Sequence, residues 1–382
     1  MHRLDHPIKL LIINPYHIGS HAQWSDDLTY HLNDLDEFEV NQWSLPGKHW
    51  KWRMQGAAIT CARLAQECKW VPDLILTTDM LHCAAFRGML PPSWRNIPLI
   101  QYFHENQITY PWSPEDPDPH LERDRTYGMI NILSALSADH IWFNSEHHRR
   151  LFLTALPRFI QPLPDYNAEI EISTLHQKSS VFPIAIEPSS EPRVKIGNRG
   201  LNDPPVFLWN HRWDYDKGPD HFHDLLIELD SRGHDFNLIL TGSNSSSHGD
   251  VISKIQAAFA PKIHHIGYTE DREMYRSLLR QSDFIIHEPR QEYFGISVLE
   301  AMSEGVIPIL KKGHAYDDWI HPSLAFDHRC RTIQIFEEIH DVQFWRNWAI
   351  DTSLHYSMSH TIPKYAQALR TIHVENLEAF PD

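Results

Sequence analysis

Two glutamates, Glu292 and Glu300, bracket the segment EYFGISVLE in the second half of the chain. The pattern predicts a strand, a short loop and then a helix whose first amides belong to Gly295, Ile296 and Ser297. Amides at a helix N-terminus carry partial positive charge and lack intrahelical acceptors, which is typical of a phosphate site. The two carboxylates would then contact other parts of the same ligand. The alternative is an acidic cap on an amphipathic helix.

A second segment, NHRWDYDKGP, directly follows the strand-like run VFLWN. It presents two cations, Arg212 and Lys217, before a helix predicted to begin near Pro219. Such a pair at the end of a strand would neutralise a diphosphate leaving group. The alternative is two surface cations that Asp214 and Asp216 balance.

Polar residues also follow two strands predicted in the first half of the chain. His104 and Asn106 belong to QYFHENQ, at the carboxyl end of a strand, where active-site groups of parallel sheets gather. His104 is the candidate hydrogen-bonding or acid–base group, and a histidine that only caps the strand is the alternative. Gly19 follows the first strand and would let the backbone approach a phosphate, although one glycine is weak evidence.

The segment PGKHWKWRM concentrates basic and aromatic residues between a strand and a helix predicted to begin near Met54. It predicts a docking surface for a nucleic acid, on which cations contact phosphates and a tryptophan stacks on a base. The residues concerned are Lys48, Trp50, Lys51, Trp52 and Arg53. Alternatively, the tryptophans bury one face of an extended loop.

The elements that must position these residues alternate between strand and helix patterns in both halves of the chain. Strands are predicted at 8–14, 39–43, 73–77, 98–103, 140–144, 206–210, 236–241, 263–266, 283–287 and 306–310. This alternation predicts an α/β protein with two doubly wound, Rossmann-like domains that face a central cleft. Residues 163–188 and 192–205 have a linker-like composition, and residues 342–377 are predicted to be helical.

Composition narrows the classes of function. The chain has 382 residues and a formal charge of −16, which argues against broad non-specific nucleic-acid binding. No apolar run is long enough to cross a bilayer, and four scattered cysteines fit a reducing cytoplasm. Three D-x-D tripeptides are interpreted as chance in so acidic a chain, and the one at Asp116 and Asp118 predicts a solvated turn. No metal site is expected from the histidine spacing.

Taken together and in this order, these segments resemble the retaining glycosyltransferases of GT-B fold. The E-x7-E element and the pair Arg212 and Lys217 carry that resemblance. LPGKHWKWRM, YFHENQITYP, YGMINILSALSADHIWFNS and HRWDYDKGPDHF resemble, more closely, the tRNA-queuosine α-mannosyltransferase family. With the E-x7-E element they span most of residues 10–310.

The resemblance implies a role for each matching residue. Arg212 and Lys217 would hold the donor diphosphate, Glu300 the nucleotide ribose and Glu292 the donor sugar, while His104 would face the transferred sugar. Further donor contacts are expected from Gly19, Tyr268, Gly295, Ile296 and Ser297. The expected acceptor-binding lip comprises Lys48, Trp50, Lys51, Trp52, Arg53 and Asn106. The implied domains are 1–185 on the acceptor side, 186–345 for the nucleotide sugar, and C-terminal helices at 346–382 that pack back on the first domain.

The implied reaction moves mannose from GDP-mannose to the cyclopentenediol of queuosine in tRNA, with retention and without a cofactor or metal. The expected partners are a nucleotide sugar and tRNA, without a membrane, and the expected compartment is the cytoplasm. The alternative enzyme uses another nucleotide sugar with a glycan, lipid or small-molecule acceptor. A non-catalytic nucleic-acid-binding protein is a different class, which the intact Glu292, Glu300, Arg212 and Lys217 disfavour.

Overall fold

The structure is a computed structural model that describes residues 6–121, 123–162, 168–188, 204–243 and 249–379. The chain divides into two compact units. The first unit comprises residues 1–185 and 361–382, and the second comprises residues 186–360. Each unit is built on one six-stranded sheet.

The sheet of the first unit is parallel throughout. Its strands are β1 (Ile8–His17), β2 (Phe38–Pro46), β3 (Leu74–Thr78), β4 (Leu99–Phe103), β5 (His140–Phe143) and β6 (Ser179–Val181). They are ordered β2-β1-β3-β4-β5-β6. Every residue of β3 and β4 is buried, as expected for central strands that helices cover on both faces.

Helices connect these strands. They are α1 (Gly19–Asn33), α2 (Trp50–Glu67), α3 (Cys83–Met89), α4 (Asp124–Ser137), α5 (Glu146–Ile160) and α6 (Ala168–Gln177). Small side chains let α2 approach the sheet closely, because Ala57, Ala58 and Ala62 pack with Leu11 and Ile75 in one buried cluster. The connections therefore bring the starts of α1, α2 and α5 shortly after the carboxyl ends of β1, β2 and β5.

The second unit repeats this architecture. Its strands are β7 (Val206–Trp209), β8 (Asn237–Leu240), β9 (Ile263–Ile266), β10 (Phe284–His287), β11 (Ile307–Lys311) and β12 (Ala325–Phe326), ordered β12-β11-β10-β7-β8-β9. Its helices are α7 (Pro219–Ser231), α8 (Gly249–Phe259), α9 (Arg272–Gln281), α10 (Ile296–Ser303), α11 (Arg329–Glu338) and α12 (Val342–Leu354). A last helix, α13 (Met358–Ala379), follows. Among the helices in the described ranges, none is long and apolar enough to span a membrane.

The predicted alternation of strands and helices is confirmed in both units, but the linker prediction for 163–188 is wrong. Residues 168–177 form α6, and residues 179–181 form the edge strand β6 beside β5. The strand SSV has no apolar run, so its pairing with β5 is not visible in the sequence. Most of the other linker-like stretch, 192–203, lies outside the described residues.

The C-terminal segment predicted at 346–382 is shared between the units, with the division at residue 360. Within the second unit, the buried Arg346 of α12 pairs with Asp283 and donates to the backbone oxygen of Gly305 at 3.0 Å. Within the first unit, Arg370 of α13 pairs with Glu37 at 2.6 Å. Each part of the segment is therefore fixed by an ion pair inside its own unit.

Candidate active site

The loop after β10 turns into α10 at Gly295, as predicted. Gly295 has φ of +90°, a backbone conformation that favours glycine, and a Cβ there would lie 2.5 Å from the Tyr316 ring. The first amide of α10 that donates within the helix is that of Val298, to the Gly295 oxygen at 3.1 Å. The amides of Ile296 and Ser297 thus keep no backbone acceptor among the described residues.

The Gly295 amide, which was expected to be free for a phosphate, donates a hydrogen bond to Glu292 instead. Glu292 Oε1 accepts from the backbone N–H of Phe294 at 3.2 Å and of Gly295 at 3.0 Å. The predicted phosphate contact from the Gly295 amide therefore does not fit this structure, because the carboxylate of the same loop already satisfies that donor. The amides of this turn that remain available to an anion, among the described residues, are those of Ile296 and Ser297.

Lys217 lies against two carboxylates in the second unit. Its Nζ is 2.8 Å from Glu292 Oε2 and 3.1 Å from Asp216 Oδ2. Burial by itself would raise the pKa of Glu292, but the Lys217 ammonium lowers that pKa to about 2. Burial would likewise lower the pKa of Lys217, and the two carboxylates raise it instead. Glu292 and Lys217 are thus both ionised at neutral pH and fix one another.

Arg212 is more accessible than Lys217. Its guanidinium is 56% exposed and lies 2.9 Å from Asp214. The alternative of two surface cations balanced by Asp214 and Asp216 is therefore confirmed for Arg212 but not for Lys217, which is largely buried and lies closer to Glu292 than to Asp216. A bound diphosphate would compete with Asp214 for Arg212.

Glu300 is oriented by a chain of hydrogen bonds that the sequence did not predict. The hydroxyl of Tyr275 donates to Glu300 Oε2 at 3.1 Å. Asn210 Nδ2 in turn donates to the Tyr275 hydroxyl at 3.0 Å and to the Ser297 oxygen at 2.8 Å. Tyr268, which follows Gly267 after β9, is 66% exposed. The Glu300 carboxylate is therefore linked to the Ser297 oxygen, in the first turn of α10, through Tyr275 and Asn210.

A stacked histidine pair lies beneath this site, and no sequence motif predicted it. The rings of His211 and His287 are 3.5 Å apart at an angle of 14°. His211 Nδ1 shares a hydrogen bond with Ser297 Oγ at 2.7 Å, and His287 Nε2 shares one with the Lys217 oxygen at 3.0 Å. Burial lowers the pKa of His287 to about 3 and that of His211 well below its usual value. The pair is therefore neutral, and it connects the Arg212–Lys217 segment to α10.

Acid should destabilise the second unit through this pair. The unfolded chain protonates His287 near pH 6.5, whereas the folded chain does so only near pH 3. The unfolded state thus binds more protons in this window, so stability is fully present above pH 6.5 and is lost as the pH falls. Each such histidine contributes about 1.4 kcal/mol per pH unit to the slope.

Urea unfolding between pH 7.5 and pH 4.5 measures that slope. His287→Asn should reduce the pH dependence of the free energy of unfolding by about one histidine's contribution. An unchanged slope in this variant would contradict the assignment of a buried neutral imidazole.

His104 is buried at the carboxyl end of β4 in the first unit. Its backbone N–H donates to Asp79 Oδ1 at 2.9 Å, and its ring stacks on His21 with a centroid distance of 4.2 Å. Burial lowers the pKa of His104 to about 3 and raises that of Asp79 to about 6. A neutral His104 favours a hydrogen-bonding role over that of a proton donor at neutral pH.

The same three side chains, His21, Asp79 and His104, place one possible metal-ligand atom each within 4.8 Å of one another. The two imidazole planes, however, differ by only 29°. Lone pairs of nearly parallel rings do not converge on one ion, whereas metal ligands must point at a common centre. The geometry favours a polar pocket for a ligand hydroxyl over a metal centre.

Asn106 and Gly19 have local structural roles. Asn106 Oδ1 accepts from the backbone N–H of Ile108 at 3.1 Å and of Thr109 at 3.0 Å, which fixes the turn after β4. Gly19 begins α1 with φ of +52°, and a Cβ there would meet nothing within 4 Å. Its constraint is therefore backbone conformation rather than close packing.

The PGKHWKWRM segment is helical earlier than predicted. The helix α2 begins at Trp50 rather than near Met54, so the proposed extended loop is wrong. Lys51 Nζ lies 2.7 Å from Asp116 and 2.6 Å from Asp118, and Trp50 packs with Tyr127 at a ring distance of 5.0 Å. The predicted phosphate contact from Lys51 and the predicted base stacking on Trp50 do not fit this arrangement. The turn predicted for the two aspartates is confirmed, but it is not solvated, because Asp118 is buried and both carboxylates pair with Lys51.

The other three residues of this predicted lip remain accessible. Lys48 is exposed, and Trp52 is 66% exposed. Arg53 is half-buried, and its Nε donates to the Pro46 oxygen at 3.3 Å.

Comparison with known proteins identifies the family. Residues 9–186 match the family model described as the N-terminal domain of tRNA-queuosine alpha-mannosyltransferase, and residues 194–322 match that of glycosyl transferases group 1. A tRNA-queuosine alpha-mannosyltransferase from Drosophila melanogaster is 31% identical over 373 residues, which cover 93% of this chain and 95% of that protein. The chain belongs to this family. As a member of the tRNA-queuosine alpha-mannosyltransferase family, it is a nucleotide-sugar-dependent hexosyltransferase.

Two further relatives place the family within the wider fold. A GDP-mannose:cellobiosyl-diphosphopolyprenol alpha-mannosyltransferase from Xanthomonas oryzae is 30% identical over 119 residues, or 30% of this chain and 31% of that protein. A sucrose-phosphate synthase structure from Thermosynechococcus elongatus superposes with a TM-score of 0.70 at 13% identity, over 96% of this chain and 100% of that one. This likeness confirms the predicted GT-B fold for the queuosine-mannosyltransferase family member.

Proposed function

We propose that this chain transfers mannose from GDP-mannose to the cyclopentenediol of queuosine in tRNA, with retention at the anomeric carbon. The observation that carries the proposal is the likeness over nearly the whole length to a protein named for this reaction. The partial relative from Xanthomonas oryzae, whose name specifies GDP-mannose, supports the donor. A tRNA acceptor would place the reaction in the cytoplasm.

The donor would bind at the start of α10. The amides of Ile296 and Ser297 would face the diphosphate, together with Lys217 and, once released from Asp214, Arg212. These groups neutralise the leaving diphosphate without a metal ion. Helix amides and fixed cations need no rearrangement at the moment of reaction, which makes them effective at stabilising developing charge.

Glu292 would bind sugar hydroxyls rather than attack the anomeric carbon. Its two oxygens are fixed by the Gly295 amide and by Lys217, and its low pKa makes it a weak nucleophile. In the proposed step, the acceptor hydroxyl bonds to the anomeric carbon as the bond to the diphosphate oxygen breaks. That departing oxygen accepts the hydroxyl proton on the same face of the sugar, which gives retention. The protein orients the reactants and stabilises the departing charge.

Tyr275→Phe tests whether Glu300 binds the ribose. The change keeps the ring but removes the hydroxyl that donates to Glu300. A hydrogen bond to a charged group contributes about 1.5–3 kcal/mol, so KM for the nucleotide sugar should rise at least about tenfold while kcat changes little. The exposed Tyr30→Phe is the matched control and should leave KM unchanged. A wild-type KM in Tyr275→Phe would show that the Tyr275 hydroxyl does not position Glu300 for the ribose.

A melting-temperature panel with GDP-mannose, UDP-glucose and ADP-glucose distinguishes the donors, because a donor stabilises only the folded state that binds it. GDP-mannose should give the largest increase. If another nucleotide sugar stabilises the protein and GDP-mannose does not, the alternative holds, in which a different donor serves a glycan, lipid or small-molecule acceptor.

A further inference from the structure

The two units differ in how they use their cations. In the described part of the second unit, every lysine and arginine except Lys254 forms an ion pair with a carboxylate; examples are Arg290 with Asp220 and Lys262 with Asp235. In the described part of the first unit, ion pairs to carboxylates are formed by Lys51, Arg87, Arg149 and Arg370. The other described lysines and arginines of that unit have no described carboxylate within ion-pair distance, although the whole chain carries a charge of −16.

Two helix starts come together in the first unit. Trp50, the first residue of α2, packs on Tyr127 in the first turns of α4 with a ring distance of 5.0 Å. The Tyr127 hydroxyl donates to Asp118 at 3.1 Å, and Asp118 pairs with Lys51 of α2. Lys51 therefore joins the two helices and the loop between β4 and α4.

Four cations that have no ion-pair partner among the described carboxylates lie on the segments that form this junction. Lys48 precedes α2 and Arg53 lies in its first turn, while Arg123 and Arg125 lie at the start of α4 and are exposed. The guanidinium of Arg125 is held in place, since it donates to the Phe159 oxygen at 2.6 Å and lies 5.2 Å from that ring. We name these four residues the cationic rim. With Lys51 they make five cations at this junction, against the four described carboxylates Asp116, Asp118, Asp124 and Glu115, so the described side chains carry a net charge of +1.

An exposed aromatic side chain, Trp52, lies on α2 between Lys48 and Arg53 in the sequence. Trp52 is 66% exposed, and Gly56 lies one turn further along α2. A Cβ at Gly56 would be 3.3 Å from the indole, so the absence of a side chain at Gly56 lets the Trp52 ring pack closely on the helix backbone. This exposure contrasts with Trp50, which is partly buried against Tyr127 and Trp112.

We propose that the cationic rim, with Trp52, is a tRNA-docking surface that spans the starts of α2 and α4. The proposal rests on the proposed tRNA acceptor. It extends the predicted acceptor-binding residues by Arg123 and Arg125, which the sequence analysis did not single out. Unpaired cations release counterions when they meet phosphates, and an exposed indole stacks on an unpaired base of a loop. Lys51 is excluded from these contacts because its charge is already neutralised.

Structured RNA fits this surface better than a protein or a lipid partner does. The cations lie at the starts of two helices, one of which also carries the exposed Trp52, and this combination suits backbone phosphates and unpaired bases. Since the rest of the chain is acidic, binding through this rim should be strongly dependent on salt.

Binding of queuosine-containing tRNA, measured over a salt series, tests the rim. The full-length variants are Lys48→Ala/Arg53→Ala, Arg123→Ala/Arg125→Ala and Trp52→Ala. Each double variant should weaken binding about tenfold or more and reduce the slope of log K against log salt by about 0.7–0.9 per lost phosphate contact. Trp52→Ala should weaken binding without changing that slope. The control is Arg63→Ala/Lys69→Ala, which removes two unpaired cations near the other end of α2 and should bind as the wild type does.

The readouts separate this proposal from the proposed function. Each variant should keep the melting-temperature increase given by GDP-mannose, since the rim lies outside the donor residues. If the wild type transfers mannose to tRNA and Arg123→Ala/Arg125→Ala has wild-type affinity and slope, the rim is refuted and the function stands. If the wild type neither binds nor modifies the tRNA, both proposals fail.

Discussion

Lys217→Met should lower kcat/KM for sugar transfer by about a hundred- to a thousandfold, the usual cost of removing one preorganised group that stabilises a developing anion. It should also destabilise the second unit. The change leaves Glu292 and Asp216 without the ammonium that lies 2.8 Å and 3.1 Å from them. Breaking a buried ion pair on one side costs about 3–5 kcal/mol. Steady-state kinetics and urea unfolding measure the two effects.

The double variant Lys217→Met/Glu292→Gln separates stability from chemistry. Removing the orphaned carboxylate charge should restore much of the lost stability, while transfer should remain as weak as in Lys217→Met. If either variant retains wild-type turnover, Lys217 does not stabilise the leaving diphosphate.

Lys51→Met should destabilise the first unit by about 2–3 kcal/mol, although Lys51 reads in the sequence as one of several surface cations. The change removes the partner of Asp116 and of the buried Asp118, and such loss is more costly than loss of an exposed ion pair. Urea unfolding followed by tryptophan fluorescence is the measurement, because Trp50 and Trp112 flank this lysine.

Lys48→Met is the matched control, since the exposed Lys48 has no carboxylate partner in the described residues. It should change the free energy of unfolding by less than about 0.5 kcal/mol. Equal stabilities for the two variants would show that Lys51 does not pin the loop between β4 and α4.

The fold and the donor-side loop could be predicted from the sequence because both depend on residues that are close together along the chain. Buried parallel strands read as short apolar runs, and a glycine directly before an apolar helix predicts the turn at Gly295. The placement of Glu292 and Glu300 on either side of that turn followed from spacing along one segment. None of these inferences needed contacts between distant parts of the chain.

The features that the sequence did not reveal depend on such contacts. Lys51 and Asp118 are far apart in sequence, so nothing in PGKHWKWRM indicates that Lys51, its second lysine, is paired with carboxylates of a later loop. The stack of His211 on His287 likewise joins the ends of β7 and β10. A lone histidine after a strand carries no signal for such a pair. The short strand β6 was missed because its pairing, and not its composition, makes it a strand.

Incubation of the protein with GDP-mannose and queuosine-containing tRNA, followed by mass analysis of the released nucleosides, tests the central claim most directly. The claim predicts that queuosine gains the mass of one hexose, that tRNA with guanine in place of queuosine gains none, and that Lys217→Met forms product at a greatly reduced rate. Queuosine of unchanged mass, from a preparation whose melting temperature GDP-mannose raises, would contradict the claim and leave a transferase for a different acceptor.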